Sequence, residues 1–325
     1  MQNSSKSRAT GFLKGFFCLS LLVSAFFTYR LHKKSNYVPE RNLIIEQTDD
    51  ENLSHLFVNK NISNNYKITN FLIKIVKLFG YSANFGEYAI PHYASLFDAI
   101  KIVASGNVVI HKITLPEGVS VVQFVRRLNK DENLSGEIEE IPQEGSLLPD
   151  TYCFKYPTKK QSIISMAQRA MRKFIKKEWP KRSPKCTLKT PAEALILASI
   201  VEKETNVERE IIAGVYLHRM KINMKLESCP TAIYAHKKGD ALEHPLKYSE
   251  LTIDDPYNTY MYNGLPPTPI TNPGRSSIIA VLHPQETDNL FFVYEGKGRH
   301  TFAKTYEEHK RNIARVRNIS IDKVK

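Results

Sequence analysis

Glu202 is the residue whose position most strongly suggests chemistry. It lies in residues 197–205 (LASIVEKET), an apolar run that predicts a buried helix. Burying an unpaired carboxylate is costly, so a glutamate here either finds a partner or keeps its proton at neutral pH. A protonated glutamate can act as a general acid. Glu204 points to a different helix face, and we predict that it is a structural ion-pair partner.

A second carboxyl that could reach a cleft is Glu144, which precedes the turn Pro149-Asp150-Thr151-Tyr152. Loops carry functional side chains onto rigid scaffolds, so Glu144 either contributes to a site or caps a turn. Asp150 and Thr151 can hydrogen-bond nearby backbone N–H groups, and we predict that they organise that turn.

One loop combines aromatic, amide and hydroxyl groups of the kind that stack on sugars and bind their hydroxyls. Its residues are Tyr257, Asn258, Thr259 and Tyr260. We predict that they form a cleft wall, and the alternative is a buried loop core. His300 could bind a saccharide or serve as a structural histidine.

The elements that must position these residues indicate a mixed α+β domain. Pro191 begins a helix that runs through residues 193–205, and residues 211–220 predict a second helix. After these helices, the prolines in residues 256–260 and 264–270 predict loops. Further predicted elements are a helix at 276–282, a strand at 290–294 and a basic helix at 305–316.

The first part of the chain contains repeated strand, turn and helix patterns. Residues 86–91 lead into a helical pattern at 94–103, and residues 113–120 lead into another at 121–128, with Ser120 as the N-cap. A fainter unit joins 43–46 to 53–58. These units resemble the LysM-like modules that bind glycan strands, with a plain α+β scaffold as the alternative.

Composition limits the classes of function. The 325 residues suit two domains with appendages, and 42% hydrophobic residues predict a folded chain. The net charge of +13 favours anionic surroundings, namely a membrane surface or an anionic polymer, and the alternative is a generally basic solvated surface. Nucleic acid is not predicted as a partner, because the basic residues form no recognisable binding motif. Four scattered cysteines predict no disulfide framework.

The N-terminus predicts a membrane-targeting element. Residues 15–29 form a mostly apolar run with basic residues on both sides, so an uncleaved anchor competes with a cleavable signal peptide. Phe26 and Phe27 follow the one candidate cleavage site, which favours the anchor. We therefore predict a tail at 1–11 and a transmembrane signal anchor at 12–31.

Six motifs occur in an order that is typical of one family. They are EGSLLPDTY at 144–152, ASIVEKET at 198–205, MKLESCPTAIY at 224–234, PYNTY at 256–260, GLPPTPI at 264–270 and GRHTF at 298–302. Together they resemble the endolytic murein transglycosylases, the MltG or YceG-like family. The resemblance implies a single-pass protein of the cell inner membrane, with its N-terminus in the cytoplasm. It also implies a LysM-like periplasmic region at 36–136 and a catalytic domain at 137–325.

By this resemblance, Glu202 matches the catalytic glutamate of a lytic transglycosylase that limits the elongation of nascent glycan strands. Such an enzyme protonates the glycosidic oxygen between N-acetylmuramic acid and N-acetylglucosamine. It then takes a proton from the muramyl C6 hydroxyl, which closes on C1 as a 1,6-anhydro ring. One carboxyl can do both steps, because the attacking hydroxyl belongs to the substrate.

The resemblance implies peptidoglycan glycan strands and the inner membrane as partners, and it is compatible with contacts to peptidoglycan synthases. Glu144 and residues 257–260 are then the predicted substrate-binding residues. No cofactor or metal is expected, because the histidines show no HExxH or comparable ligand spacing and there is no Gly-rich phosphate loop.

The chain departs from the family pattern at four positions: Glu227, Cys229, Asp255 and Thr268. These changes put inherited subsite contacts in doubt and leave two rival functions open. A muramidase would use water, with Glu227 or Asp255 as its second carboxylate. A membrane-tethered glycan-binding scaffold would leave Glu202 merely structural.

Overall fold

A computed structural model describes residues 20–26, 28–29, 31–35, 42–46, 50–78, 80 and 84–321. The chain divides into two compact units. The first comprises Met1–His111 with Phe154–Pro157, and the second comprises Lys112–Cys153 with Thr158–Lys325. Helices and short two-stranded sheets make up both, so the predicted α+β class is confirmed.

The first unit is built from strands β1 and β2 and helices α1 to α3. Their bounds are β1 Leu43–Ile45, α1 Asp50–Asn59, α2 Tyr66–Leu78, β2 Gly86–Tyr88 and α3 Leu96–Ala104. β1 pairs antiparallel with β2, so that Leu43 lies opposite Tyr88. Phe57, Tyr88 and Ala99 are fully buried between the helices and this sheet. Ser95 begins α3 with a capping box to Asp98.

The strand and helix patterns predicted near residues 43 and 86 are therefore confirmed. α2 was not predicted, and it lies between them in the chain. Thr69, Leu72 and Ile73 are its buried residues. Because β1 and β2 pair with each other, the two patterns share one sheet rather than forming separate repeats.

The second unit opens with elements β3 to β6, α4 and α5. Their bounds are β3 Ile110–Leu115, α4 Val121–Lys130, β4 Leu134–Ser135, β5 Asp150–Lys155, β6 Thr158–Lys159 and α5 Lys160–Glu178. β3 pairs with β5, and the division between the units crosses both strands. Ser120 caps α4 as predicted, in a capping box with Gln123.

The change between units at residues 111 and 112 differs from the boundary predicted at 136 and 137. The reason is a set of long-range hydrogen bonds from the loop between β3 and α4. Gly118 N–H donates to Asn272 O at 3.1 Å, and Asn272 N–H donates to Val119 O at 3.2 Å. These bonds join residues 112–136 to the second unit.

The rest of the second unit is mainly helical. Its elements are α6 Pro191–Glu204, α7 Arg209–Lys221, α8 Cys229–Lys237, α9 Arg275–Leu282, β7 Phe291–Gly296, β8 Arg299–Ala303 and α10 Tyr306–Arg317, with 3₁₀ turns at Trp179–Lys181 and Tyr248–Thr252. β7 and β8 form an antiparallel hairpin. The predicted helices and strand of this region are confirmed, within a few residues at their ends.

Helix α6 is the centre of this unit. Thr190 caps it by accepting from Glu193 N–H, and Pro191 occupies the first turn, where its missing N–H costs nothing. Leu197, Ala198, Ile200 and Val201 are all fully buried, so α6 is surrounded on several faces and holds its side chains rigidly.

No helix in the described residues is long and apolar enough to cross a membrane. Much of the predicted anchor at 12–31 lies outside those residues, namely 12–19, 27 and 30. The anchor therefore stays a prediction. Cys153, Cys186 and Cys229 are free thiols, and Cys18 lies outside the described residues.

Candidate active site

Glu202 is buried on α6, with 4% of its side chain exposed. Its Oε2 accepts a hydrogen bond from Gly274 N–H and another from the Ser277 hydroxyl, each at 2.8 Å. Both donors belong to the start of α9, where free N–H groups and the helix dipole favour a negative charge. A buried glutamate either finds partners or keeps its proton, and the structure shows partners for Glu202.

Arg209 completes the surroundings of this carboxyl. Its Nη2 lies 3.6 Å from Glu202 Oε1. Its Nε donates to Ser277 Oγ at 3.0 Å, and its Nη1 donates to Asn206 O at 2.5 Å. The Ser277 hydroxyl thus accepts from Arg209 and donates to Glu202, which orients its proton without ambiguity.

A second carboxylate lies at the same guanidinium. Glu117 Oε2 is 3.9 Å from Arg209 Nη2, and 46% of the Glu117 side chain is exposed. The carboxyl packs on Gly274, where a Cβ would lie 2.0 Å from Glu117 Oε1. Sequence reasoning missed Glu117 and Arg209, because one belongs to a turn motif and the other looks like an ordinary basic helix residue.

Asn272 was also missed, although the segment TNPG before a helix marks a structured turn. The side chain is completely buried. Its Nδ2 donates to Val119 O at 2.9 Å, and its Oδ1 accepts from Leu147 N–H at 3.1 Å. Asn272 therefore holds the loop after β3 and the loop before β5 against the start of α9.

Glu144 lies at the N-terminus of α4 and has no hydrogen bond or ion pair with Glu202 in the described residues. Its Oε1 accepts from Val121 N–H at 2.9 Å and from Asn272 Nδ2 at 3.3 Å. Burial raises the pKa of Glu144 to about 7. Of the two predicted roles, the contacts show capping, here of a helix.

Asp150 and Thr151 organise the turn that begins β5. Asp150 Oδ1 accepts from Thr151 N–H at 2.8 Å, and Oδ2 accepts from Arg275 Nη2 at 2.7 Å. The hydrogen bond from Arg275 lowers the pKa of Asp150 below its usual value. This pair links the turn to the first residue of α9.

Asn258 and Thr259, in the predicted cleft wall, are fully buried. Asn258 Nδ2 donates to Leu251 O and Ile253 O, both at 2.9 Å. The hydroxyls of Thr259 and Thr231 lie 2.8 Å apart. The polar groups of both residues form hydrogen bonds inside the protein, as expected for the alternative of a buried loop core.

Tyr257 and Tyr260 are only partly buried. The Tyr257 ring packs at 4.8 Å from Tyr234, and its hydroxyl lies 2.7 Å from Thr268 Oγ1. The Tyr260 hydroxyl lies 3.1 Å from Cys229 Sγ. The four predicted residues therefore divide into two buried polar residues and two that are only partly buried.

Glu204 accepts hydrogen bonds from Tyr216 Oη at 2.9 Å and Ser228 Oγ at 2.5 Å. Burial raises its pKa, and these two hydroxyls counteract the rise. We predicted an ion pair, whereas the observed partners are hydroxyls. The role remains structural, because the carboxyl joins α6, α7 and the start of α8.

The two carboxylates of the muramidase alternative have partners of their own. Glu227 Oε2 lies 3.7 Å from Arg219 Nη1, and Asp255 Oδ2 lies 2.5 Å from Lys238 Nζ. Neither has a hydrogen bond or ion pair with Glu202 in the part of the chain that the structure describes. His300 Nδ1 lies 3.0 Å from Glu208 Oε2, in a buried structural position.

The arrangement around Glu202 can be compared with known proteins. The model of the YceG-like family matches residues 44–315, which include Glu202 and all its partners. The chain belongs to the YceG-like family.

Curated relatives of this YceG-like chain carry an enzymatic name. An endolytic murein transglycosylase of Bacillus subtilis is 38% identical over 182 residues, which are 55% of this chain and 49% of that protein. One from Streptococcus pneumoniae serotype 2 is 34% identical over 179 residues, which are 53% of this chain and 32% of that protein. The matches span half or less of these relatives' lengths.

A solved structure extends the comparison to the fold. A crystal structure of a yceG-like protein from Listeria monocytogenes is 28% identical, with a TM-score of 0.51. The match covers 83% of this chain and 97% of that one.

The second unit of this YceG-like chain contains a cavity of about 270 Å³ beside the neighbours of Glu202. Its lining includes Gly118, Ser120, Gln123, Lys203, Tyr234 and Asp240. A Cβ on Gly118 would lie 3.6 Å from Glu202 Cγ. The cavity therefore lies next to the helical turn that carries the buried carboxyl.

The described residues contain no group of three or more His, Cys, Asp or Glu side chains that could hold a metal ion.

Proposed function

We propose that this chain is an endolytic peptidoglycan lytic transglycosylase. In this proposal it cleaves the bond between N-acetylmuramic acid and N-acetylglucosamine and leaves 1,6-anhydro ends. The observation that carries the proposal is the buried carboxyl of Glu202, fixed by Gly274, Ser277 and Arg209. The family and the names of the relatives support the substrate class.

The geometry supports different roles for the two carboxyl oxygens of Glu202. Oε2 is occupied by two hydrogen-bond donors, whereas Oε1 has, among the described residues, only the Arg209 guanidinium at 3.6 Å. We assign the transferred proton to Oε1. It passes to the glycosidic oxygen as the bond to C1 breaks. The muramyl C6 oxygen then bonds to C1 and returns its proton to Oε1, so that no water is consumed.

Arg209 and Glu117 tune the charge around this oxygen. A guanidinium beside Oε1 stabilises the carboxylate that faces the positive charge developing on the sugar. Glu117 shares the same Nη2 and offsets part of the positive charge. We infer that both residues are positioning residues for Glu202.

In this proposal, the predicted substrate-binding residues fall into two groups, one that contacts the substrate and one that supports the loops. Tyr257 and Tyr260 are the candidates for direct contact, because both residues are only partly buried. Asn258, Thr259 and Glu144 support the loops from inside, since their polar groups are already bonded within the protein.

We further propose the membrane topology that the family resemblance implies. Residues 12–31 would anchor the chain in the inner membrane, with the catalytic unit in the periplasm. The apolar run at 15–29 with its basic flanks supports this anchor. The region at 36–136 would bind glycan as a LysM-like module. Peptidoglycan synthases would be neighbours at the site of strand growth.

The decisive experiment compares the full chain in detergent with its Glu202→Gln variant on purified glycan strands, with product ends read by mass spectrometry. Glu210→Gln, an exposed change on α7, is the matched control. We expect anhydromuramyl ends from wild type and the control, and none from Glu202→Gln. Reducing ends would select the muramidase. Intact strands with retained binding would select the scaffold.

A further inference from the structure

Three charged side chains lie in or near the wall of the cavity beside Glu202: Asp240, Glu144 and Lys203. Asp240 lies in its wall but is neutralised by Arg126, whose Nη1 and Nη2 lie 2.5 and 3.2 Å from its two carboxylate oxygens. Glu144 lies behind the wall, with Oε2 3.7 Å from where a Cβ on Gly239 would be. Lys203 is the remaining charged side chain in the lining.

The Lys203 ammonium forms one long hydrogen bond with the described part of the chain. It donates to Gly118 O at 3.4 Å, and it has no ion pair in the described part of the chain. An ammonium group offers three donors, so at least two remain for a ligand or solvent. The adjacent Glu202 does not neutralise it, because that carboxyl is held by Gly274, Ser277 and Arg209.

Two neutral donors line the same cavity. The Tyr234 hydroxyl makes no hydrogen bond among the described residues, and burial around it raises its pKa, so it keeps its proton. Gln123 uses its Oε1 to accept from Ser120 N–H at 3.2 Å, which directs its amide N–H₂ away from that bond. One cation and two neutral donors make a site for an anionic acceptor.

The cavity is at the small end of the size range of ligand sites. Sites for drug-sized ligands usually measure about 300–1,000 Å³, and this cavity measures about 270 Å³. It suits one substituent of a longer ligand whose main chain passes outside.

We propose that this cavity binds a carboxylate substituent of the glycan strand through Lys203, Tyr234 and Gln123. The inference rests on the proposed function, because it places the strand across Glu202. Two sources offer this chemistry: the carboxylates of the stem peptide, and the free lactyl carboxylate of a muramyl residue without a peptide. The cavity would then select strands by their charged substituents.

The test measures binding rather than cleavage. Fluorescent strands of one length are prepared with stem peptides, without peptides, and with all carboxylates converted to neutral amides. Their dissociation constants are measured for the full chain in a Glu202→Gln background, which prevents turnover. The added variants are Lys203→Met, Lys203→Arg and Tyr234→Phe, with Lys173→Met as an exposed control on α5.

We expect Lys203→Met to weaken binding of a carboxylate-bearing strand by about tenfold or more, because hydrogen bonds to charged groups are the strong ones. Lys203→Arg should stay within about threefold of the parent, and Tyr234→Phe should lose several-fold. The neutral strand should bind all variants equally. The strand type whose affinity depends on Lys203 identifies the source of the carboxylate.

Equal losses on charged and neutral strands would overturn the inference, as would unchanged affinity for Lys203→Met. Failure of the proposed function gives a different result. In that case the wild-type chain binds strands but produces no anhydromuramyl ends. Thermal melting of each variant checks the fold, and Lys203 is exposed, so its substitution leaves the core intact.

Discussion

Arg209 Nη2 lies 3.6 Å from Glu202 Oε1, and the two residues belong to the successive helices α6 and α7, which are joined by a short connection. The same nitrogen lies 3.9 Å from Glu117 Oε2. One buried carboxyl and one partly exposed carboxyl therefore share one cation. Glu117 is the member of this group that reaches solvent.

Replacing Arg209 should weaken both stability and cleavage. In Arg209→Met, the buried Glu202 carboxyl loses its cation, and we expect the free energy of unfolding to fall by about 1–3 kcal/mol. Strand cleavage should fall by about tenfold or more, because Oε1 is no longer held by a charged neighbour. Urea denaturation and initial cleavage rates measure the two effects. Arg169→Met, exposed on α5, is the control, and equal behaviour of the two variants would contradict the assignment.

Ser277 offers a matched pair of substitutions on one helix. Ser277→Ala removes the donor to Glu202 Oε2 and the acceptor for Arg209 Nε. We expect a stability loss of about 1–3 kcal/mol and a lower kcat, since the carboxyl loses one of its two donors. Ser276→Ala, exposed one residue earlier, should change neither quantity. A Ser277→Ala chain with wild-type kcat would show that this hydroxyl does not position the acid.

Glu144 should make stability depend on pH. Its pKa is raised from 4.5 to about 7, so the folded chain keeps this proton over a range in which the unfolded chain has lost it. Stability from this group is complete below about pH 4.5, falls as the pH rises to about 7, and is constant above. One pKa unit corresponds to about 1.4 kcal/mol, so the total change is about 3–4 kcal/mol.

Glu144→Gln tests this dependence, because an amide resembles the protonated carboxyl. The variant should match wild type in urea denaturation at pH 4.5 and be more stable than wild type at pH 8. Glu139→Gln, which is exposed, should follow wild type at both values. If the difference in stability between the variant and wild type is the same at both pH values, folding does not raise the pKa of Glu144.

Asn258 should behave as a structural residue. Asn258→Ala leaves the carbonyls of Leu251 and Ile253 without their donor, so we expect a loss of about 2–4 kcal/mol for two buried hydrogen bonds. Asn263→Ala, exposed in the same loop, should have little effect on melting. At a temperature where the variant is folded, KM should be close to the wild-type value. A raised KM with unchanged melting would restore Asn258 as a substrate contact.

The elements around the site were predictable because their signals are local. Pro191 and the apolar run that follows specify α6, and Ser120 with Gln123 specifies the start of α4. The partners of Glu202 were not predictable. Gly274 and Ser277 are 72 and 75 residues away in the chain, and no pattern of residue types connects them to α6.

The loop at 257–260 shows a different limit of sequence composition. Its aromatic, amide and hydroxyl groups suggested sugar recognition, yet Asn258 and Thr259 are fully buried. Composition identifies groups that can form hydrogen bonds. It does not show whether those bonds are made to a ligand or to carbonyls of neighbouring loops, because that depends on which segments fold together.

The buried carboxyl, the helix that carries it and the family of the chain can all be recognised in the sequence, because periodicity, capping residues and ordered motifs are properties of short segments. The surroundings of that carboxyl follow from the fold: the start of α9, the shared Arg209, Glu117 and the cavity beside Lys203. Those contacts join segments that are distant in the chain, and packing alone brings them within hydrogen-bonding range.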